Sequence, residues 1–151
     1  MSIKDPRKDV DGTGYADAVS LSAAVSGDHL ELHMGLRAST RGVQEGETLL
    51  YLFALDTDLD GDDDWWVDYE TESGEFIPIL FELADPLSQN RVPFPGGGML
   101  VDDVVSMTVE LSAIGVTGPL AVRGAIERML GTEDQPTDYV PDDQVPIRLE
   151  P

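Results

Sequence analysis

The sequence contains no cysteine, few basic residues and no long apolar run. Without cysteine the chain cannot form a disulfide, a thiolate nucleophile or a cysteine-ligated metal site. No stretch approaches the roughly 20 apolar residues of a membrane-spanning helix, so we predict no membrane insertion. The first residues also lack the apolar segment of a signal peptide.

Basic residues are scarce, because 2 Lys and 7 Arg stand against 19 Asp and 11 Glu, for a formal net charge of −21. Such a field repels a phosphate backbone, so we predict no nucleic-acid partner. Acids spread over nearly every loop are typical of halophilic proteins, which stay hydrated in high salt. With 41% hydrophobic residues the chain can still bury a core, and we expect a single domain over residues 1–151.

Alternation of apolar and polar residues is the main structural signal, and it predicts β-strands. Residues 18–25 and 30–37 alternate on either side of a Ser26-Gly27-Asp28 turn, which is typical of a hairpin. Residues 49–55 are apolar on both faces and are predicted as a central strand. Residues 120–130 fit a helix or a strand kinked at Gly124, and the strand is favoured because the other long elements are strands.

Further strands are predicted at residues 65–70, 76–81, 99–101, 104–111 and 145–149, with Pro78 marking an edge or a bulge. Residues 86–98 are predicted as a loop, because they contain Pro86, Pro93, Pro95 and three consecutive glycines. About eight strands with almost no helix predict an all-β fold. We expect an antiparallel two-sheet β-sandwich of jelly-roll or Ig-like type.

The segment 56–64 is the densest acidic stretch of the chain, with six Asp in nine positions. Asp at positions 1, 3 and 5 followed by Gly61 at position 6 is the spacing of a calcium-binding loop. It is not an EF-hand, because strands flank it and Val67 stands where the bidentate Glu is expected. The predicted calcium ligands are Asp56, Asp58, Asp60, Asp62, Asp64 and Asp68, with a structural role; a solvated acidic turn is the alternative.

A second acidic group is predicted where the two chain ends meet, since termini of a domain often lie close together. It comprises Asp9, Asp11, Asp17, Asp138, Asp142 and Asp143, with hydrated tails as the alternative. Signals for catalysis are weak: the chain has no Gly-x-Ser-x-Gly motif, and its glycine run lacks the Lys of a phosphate loop. His29 and His33 are predicted to be solvated on one strand, and we predict that the chain is not an enzyme.

Several segments together resemble family-9 carbohydrate-binding modules and DOMON-like domains. They are residues 5–9 before a strand that begins at Asp17, residues 51–60, residues 66–69, residues 111–115 and residues 138–142. The resemblance implies a jelly-roll-like sandwich that often carries calcium. It also implies an accessory module of a secreted or cell-surface protein.

Sugar-binding members of these groups use exposed aromatic residues, for which the candidates here are Trp65, Trp66, Tyr69 and also Tyr51. A carbohydrate-binding module is therefore the alternative function, with a glycan or another surface protein as partner. Some relatives bind haem through Met and His, which makes Met34, Met99, Met107 and Met129 candidates for a less favoured redox role, although Met in strands usually fills the core.

Overall fold

The computed structural model describes residues 1–5, 14–39, 44–72, 74–85, 88–141, 143 and 145–150. Within them lie 13 β-strands and two short 3-10 turns, at Gly14–Ala16 and Ser112–Ile114. The strands are β1 (Ser2–Lys4), β2 (Ala18–Ser26), β3 (His29–Leu36), β4 (Glu47–Asp56), β5 (Trp65–Glu72), β6 (Glu75–Asp85), β7 (Ser88–Val92), β8 (Gly96–Val101), β9 (Val104–Glu110), β10 (Leu120–Leu130), β11 (Glu133–Asp134), β12 (Asp138–Val140) and β13 (Ile147–Leu149). None of the helical segments among the described residues has the length and apolar character of a membrane span.

The strands form two antiparallel sheets, which confirms the predicted β-sandwich. The small sheet has the order β1-β2-β3-β9-β8, and the large sheet has the order β7-β6-β5-β4-β10. Beyond β10, the short strands β11, β12 and β13 each pair with a different part of that strand. The count of 13 strands exceeds the predicted eight, chiefly because strands of two or three residues are too short to show alternation.

The core lies between the two sheets and follows from the alternation in β3 and β4. Leu30, Leu32, Met34 and Leu36 of β3 are all buried, as their spacing predicts. From the large sheet they meet alternate residues of β4, namely Leu49, Tyr51, Phe53 and Leu55. The Phe76 ring stacks on Tyr51 and Tyr69 at centroid distances of 5.7 and 5.3 Å, which joins β4, β5 and β6.

Residues 120–130 form the strand β10, which confirms the strand alternative. Gly124 pairs with Phe53 on one side and Val140 on the other, in an unbroken register. A Cβ atom at this position would lie 2.7 Å from Val140 Cγ1 and 3.0 Å from Met34 Cε. The glycine therefore leaves room for Val140 of the neighbouring strand β12 and for Met34 of the facing sheet.

The loop prediction for residues 86–98 is wrong for its described part, which contains β7 and the start of β8. A Cβ atom on Gly96 would collide with the Thr108 carbonyl oxygen, and one on Gly98 would lie 2.5 Å from Met107 Sδ. Gly96 and Gly98 therefore permit close contact with β9. Pro78 occupies a local edge as predicted, because pairing of β6 with β7 begins only at Leu80.

The side of the large sheet that faces away from the small sheet is termed the outer face. Its residues belong to β4, β5, β6 and β10 and alternate along each strand with the residues of the core. They are paired with one another across neighbouring strands. These are Leu50, Leu52, Ala54, Trp66, Asp68, Glu70, Ile77, Ile79, Phe81, Arg123, Ala125 and Glu127.

Candidate metal centre

The acidic loop, residues 56–64, joins the two neighbouring strands β4 and β5. Its base is closed by a hydrogen bond in which Asp64 N donates to Leu55 O at 2.8 Å. Leu83 N donates to Asp64 O at 2.9 Å and ties the loop to β6. Gly61 has a φ of 102°, a conformation that glycine adopts without a Cβ clash, so the turn at position 6 depends on it.

Two carboxylates hold the loop in shape by accepting hydrogen bonds from its backbone. Asp56 Oδ1 accepts from Leu59 N at 2.7 Å, and Asp56 Oδ2 accepts from Gly61 N at 3.0 Å. Asp64 Oδ2 accepts from Thr57 N at 2.7 Å and from Thr57 Oγ1 at 2.6 Å. Hydrogen bonds to a charged acceptor are strong, and these bonds stabilise the ionised carboxylates of Asp56 and Asp64. They therefore offset part of the repulsion between the Asp side chains of the loop.

Asp56, Asp58 and Asp64 each place one carboxylate oxygen within 4.8 Å of the other two. Calcium binds oxygen at 2.3–2.6 Å, so two oxygens on one ion lie up to about 5 Å apart. The spacing and the hard oxygen donors of this group therefore fit a calcium ion. The remaining positions of a shell of six to eight ligands would be filled by backbone carbonyls or water.

The pKa of the exposed Asp58 is raised because other carboxylates of the loop lie close to it. The hydrogen bond from Asp60 N lowers the pKa of Asp58, but partial desolvation and the charges of Asp60, Asp64 and Asp56 outweigh it, and the net direction is upward. A bound cation would reverse this effect, because carboxylates must be deprotonated to coordinate a metal.

The other predicted ligands lie outside this group. Asp60 and Asp62 are exposed on the loop, and Asp60 Oδ1 accepts from Asp62 N at 2.9 Å. Asp68 lies on the outer face in the middle of β5, opposite Leu52 and Ile79, with 2% of its surface exposed. Burial, with the charges of Glu70 and Glu127, raises the pKa of Asp68 from 3.8 to about 8.

The spacing argument missed Asp63, which links the loop to the outer face. Asp63 forms an ion pair with Arg123 of β10 and accepts a hydrogen bond from Trp66 Nε1 at 3.3 Å. The local sequence carries no signal for this contact, since 60 residues separate Asp63 from Arg123. Arg123 brings positive charge to the loop, and its position is set by the pairing of β10 with β4.

Of the second predicted acidic group, Asp9, Asp11 and Asp142 lie outside the described residues. Asp17 and Asp138 are buried, and the fold brings them to neighbouring positions, because Asp138 Oδ2 accepts from Ala18 N at 2.6 Å. Asp17 Oδ2 pairs with Arg37 Nε at 2.6 Å. Asp143 is exposed. The described members thus make structural contacts. Among the described residues, three carboxylate groups come within 4.8 Å of one another only at Asp56, Asp58 and Asp64.

The aromatic candidates do not share a surface. Trp65 and Tyr69 lie on the core side of β5, Tyr69 with 8% exposure, whereas Trp66 lies on the outer face. Tyr51 is fully buried. Tyr139 of β12 is 45% exposed beside the outer face and was not predicted, because it lies in a three-residue strand.

The histidine and methionine candidates are likewise separated. His29 is exposed, and His33 Nδ1 lies 2.9 Å from Ser106 Oγ on the solvent side of the small sheet. Met34 and Met107 are buried in the core, whereas Met99 and Met129 are partly exposed. The described residues therefore bring none of the histidines together with a core methionine.

No protein-family model matches the chain, and comparison with curated proteins and with solved structures finds no match. The resemblance to family-9 carbohydrate-binding modules and DOMON-like domains thus rests on the sequence motifs alone.

Proposed function

We propose that this chain is a non-catalytic β-sandwich module whose β4–β5 loop binds calcium, and that it serves a binding or structural role in a secreted or cell-surface protein. The observation that carries the proposal is the approach of Asp56, Asp58 and Asp64 oxygens to within 4.8 Å of one another. A loop without a cation would have to keep these charges together by hydrogen bonds alone.

Calcium is preferred over magnesium because of the kind of site the loop offers. Magnesium demands near-octahedral geometry and gives up its water reluctantly, whereas calcium accepts irregular shells of carboxylates and carbonyls. Modules outside the cell bind calcium with dissociation constants of about 0.1–1 mM, which suits a loop that is exposed on one side. This is the support for an extracellular setting.

Several buried polar groups of the fold have structural partners, as Asp17, Asp138 and Glu47 do, and this supports a non-catalytic role. Glu47, for example, accepts hydrogen bonds from Tyr15 and Arg128 at 2.9 and 2.5 Å. Glycan binding has less support, since Trp66 is separated from Trp65 and Tyr69 by the plane of the sheet.

The test is thermal unfolding in calcium and in chelator at constant, moderate ionic strength. With 10 mM calcium and a dissociation constant of about 0.1 mM, the stability gain is about 2.7 kcal/mol, and the expected rise in Tm is roughly 5–10 °C. Magnesium at the same concentration is expected to give a much smaller shift.

Two loop variants separate coordination from charge screening. Asp58→Asn is expected to abolish the calcium shift, because Asn keeps the hydrogen bond to Asp60 N but lowers the charge of the ligand group. Asp62→Asn also removes one negative charge from the loop, but Asp62 does not belong to the group of Asp56, Asp58 and Asp64. The calcium-dependent rise in Tm is therefore expected to persist in this variant. Coincident melting curves with calcium and chelator, or equal losses in both variants, would contradict the proposal.

A further inference from the structure

The strand β8 (Gly96–Val101) forms one edge of the small sheet, and among the described residues only β9 pairs with it. At its start, Glu110 N donates a hydrogen bond to Pro95 O at 2.8 Å. Because bonded pairs alternate along an antiparallel ladder, the odd-numbered residues of β8 direct their backbone groups to β9. The N–H and C=O groups of Gly96, Gly98 and Leu100 therefore point away from β9, and they form an open row with which another strand can pair.

The edge at β8 lacks the features that protect the other sheet edges from further pairing. β8 has six residues in continuous register with β9, without a charge, a proline or a bulge. At the opposite edge of the small sheet, β1 has only three residues and includes Lys4. In the large sheet, β7 contains Arg91 and is followed by Pro93, and β11, β12 and β13 have two or three residues each. Long, uncharged edge strands are the ones that pair with a further strand.

Two apolar side chains of β8 project into solvent on the side of the small sheet that faces away from the large sheet. Met99 is 57% exposed and Val101 is 56% exposed, the highest values for large apolar residues within the described strands. They alternate with Gly98 and Leu100, whose partners on β9 belong to the core. Gly97 lies on the same solvent side, and a Cβ atom there would find nothing within 4 Å. The solvent side of β8 therefore combines two exposed apolar side chains with one empty position.

The order of Gly97, Met99 and Val101 makes the strand complementary to a second copy of itself. In an antiparallel pair with a two-fold axis at Met99, each Met99 lies opposite the Met99 of the other copy, and each Val101 lies opposite the other Gly97. The Val101 side chain then enters the empty space beside Gly97. A cavity of about 350 Å³ adjoins that space and is lined by the three glycines of β8 and by His29, Met99, Ser106, Thr108 and Glu110. The match of a large side chain to an empty position points to a second copy as the partner.

The distribution of charge also favours contact between two copies at this edge. Two chains of net charge −21 repel each other, but residues 92–101 contain no charged side chain. The next acids along the chain, Asp102 and Asp103, form the turn that follows β8. With the axis at Met99, the Asp102 residues of the two copies lie at opposite ends of the strand pair, about 20 Å apart at about 3.3 Å per residue. This distance exceeds the Debye length of about 8 Å at physiological ionic strength, so their repulsion is largely screened.

The large sheet leaves room beside β8 for the added strand. A Cβ atom on Gly98 would lie 3.1 Å from Tyr69 Cδ2, so β8 crosses the large sheet at the level of Tyr69. Tyr69 pairs with Pro78 of β6, whereas the pairing of β6 with β7 begins only at Leu80. At the level of Gly98, the described part of the large sheet therefore ends at β6, and β7 does not block the approach of a second copy.

We propose that two copies of this chain associate through β8, which pairs antiparallel with β8 of the second copy about a two-fold axis at Met99. The two five-stranded sheets then form one continuous sheet, and the assembly closes as a dimer because both open rows are used. A contact of this kind belongs to the small interfaces, below about 1,200 Å² in total, so the dimer is weak. High salt strengthens it by screening the repulsion between the acidic copies. The association is independent of calcium binding by the loop.

The first test is sedimentation equilibrium of the full chain at about 10 to 500 µM, with chelator, in 0.15 M and in 2 M KCl. We expect a monomer–dimer equilibrium whose dissociation constant is lower in 2 M KCl. Met99→Lys is expected to raise that constant at least about tenfold, because it replaces the apolar contact at the axis with two ammonium groups that face each other. Met129→Lys makes the same exchange at a 36% exposed position of β10 and is expected to change the constant less than about twofold.

The second test uses single cysteines, which have no background because the chain contains none. Residues that face each other in a pair without backbone hydrogen bonds have Cα atoms about 4.5 Å apart, within the range of a disulfide. Met99→Cys is therefore expected to form a disulfide-linked dimer on mild oxidation. A mixture of Gly97→Cys and Val101→Cys is expected to cross-link more readily than either variant alone. Ala24→Cys lies exposed on the same side of the small sheet, on β2, and is expected to stay monomeric.

Several results would overturn the inference. The chain would remain monomeric at 500 µM in 2 M KCl, or Met99→Lys and Met129→Lys would weaken the dimer equally. Equal cross-linking of Met99→Cys and Ala24→Cys would show random collision instead of a defined interface. Cross-linking of Val101→Cys alone that exceeds that of the mixture would contradict the two-fold axis at Met99.

Discussion

The acidic loop, residues 56–64, and Asp68, which follows it on β5, provide very different surroundings for a carboxylate. In the loop, Asp56 and Asp64 accept several backbone and hydroxyl hydrogen bonds, and Asp63 has an arginine partner. On the outer face, Asp68 Oδ1 is buried without a partner among the described residues. The density of Asp in the sequence therefore does not identify the carboxyl group whose pKa is most perturbed; burial by neighbouring strands does.

The largest effect that tests this contrast is the pH dependence of stability due to Asp68. The pKa of Asp68 is about 8 in the folded chain, compared with an ordinary value of 3.8, which applies to the unfolded chain. At a pH between these two values, the folded chain therefore holds a proton that the unfolded chain has lost. Stability from this group is therefore greatest below pH 4 and falls as pH rises to 8. The slope approaches about 1.4 kcal/mol per pH unit, or about 3–4 kcal/mol in total between pH 5 and pH 8.

Urea unfolding of the wild type and Asp68→Asn at pH 5, 6, 7 and 8 measures this contribution. The variant is expected to lack the decline, since Asn cannot ionise, while the contributions of Glu70, Glu127 and the other acids largely remain. Parallel pH curves for the two proteins would show that Asp68 is ionised in the folded state and that the contrast with the loop is wrong.

The next effect tests the loop, where the hydrogen bonds are expected to decide stability. Asp56→Ala leaves Leu59 N and Gly61 N without their acceptors and is expected to lower the free energy of unfolding by about 2–4 kcal/mol. Asp62→Ala, at an exposed position in the same loop, is expected to cost no more than about 0.5 kcal/mol. Chemical denaturation in chelator measures both values without a contribution from calcium, and equal costs would contradict this account.

The smallest effect concerns Arg123, which connects the loop with the outer face. Arg123→Ala is expected to cost about 1 kcal/mol, because its pair with Asp63 is only partly buried. The calcium-dependent rise in Tm is expected to increase, since a positive charge next to the loop is removed. Arg91→Ala breaks an exposed pair with Glu72 and serves as the control, with no expected change in the calcium response.

Much of the fold was predictable because it depends on local pattern. The alternation in β2 and β3, the apolar run of β4 and the turn at Gly27 each describe one strand or hairpin. Gly96, Gly97 and Gly98 show where this reasoning fails: glycine is typical of turns, but here β8 approaches β9 so closely that larger side chains do not fit at Gly96 and Gly98. The need for that space comes from a neighbouring strand, which the local sequence does not describe.

The candidate metal site was predictable in part for the same reason. Asp56, Asp58 and Asp64 belong to one loop, so their spacing alone suggested that they converge. Asp68 was assigned to the same set because it is close in sequence, but a strand carries its side chain away from a loop by about 3.3 Å per residue. The pairing of β5 with β4 and β6 then places it among apolar side chains.

The sequence by itself determined the class of fold, the acidic character and the loop in which acids gather, because these depend on composition and on short-range periodicity. The tertiary structure alone decided which carboxylates receive hydrogen bonds, which arginine reaches the loop, and where an acid is buried on the outer face. Those properties depend on contacts between residues far apart in the chain, such as Asp63 with Arg123, and on the desolvation of Asp68 by neighbouring strands.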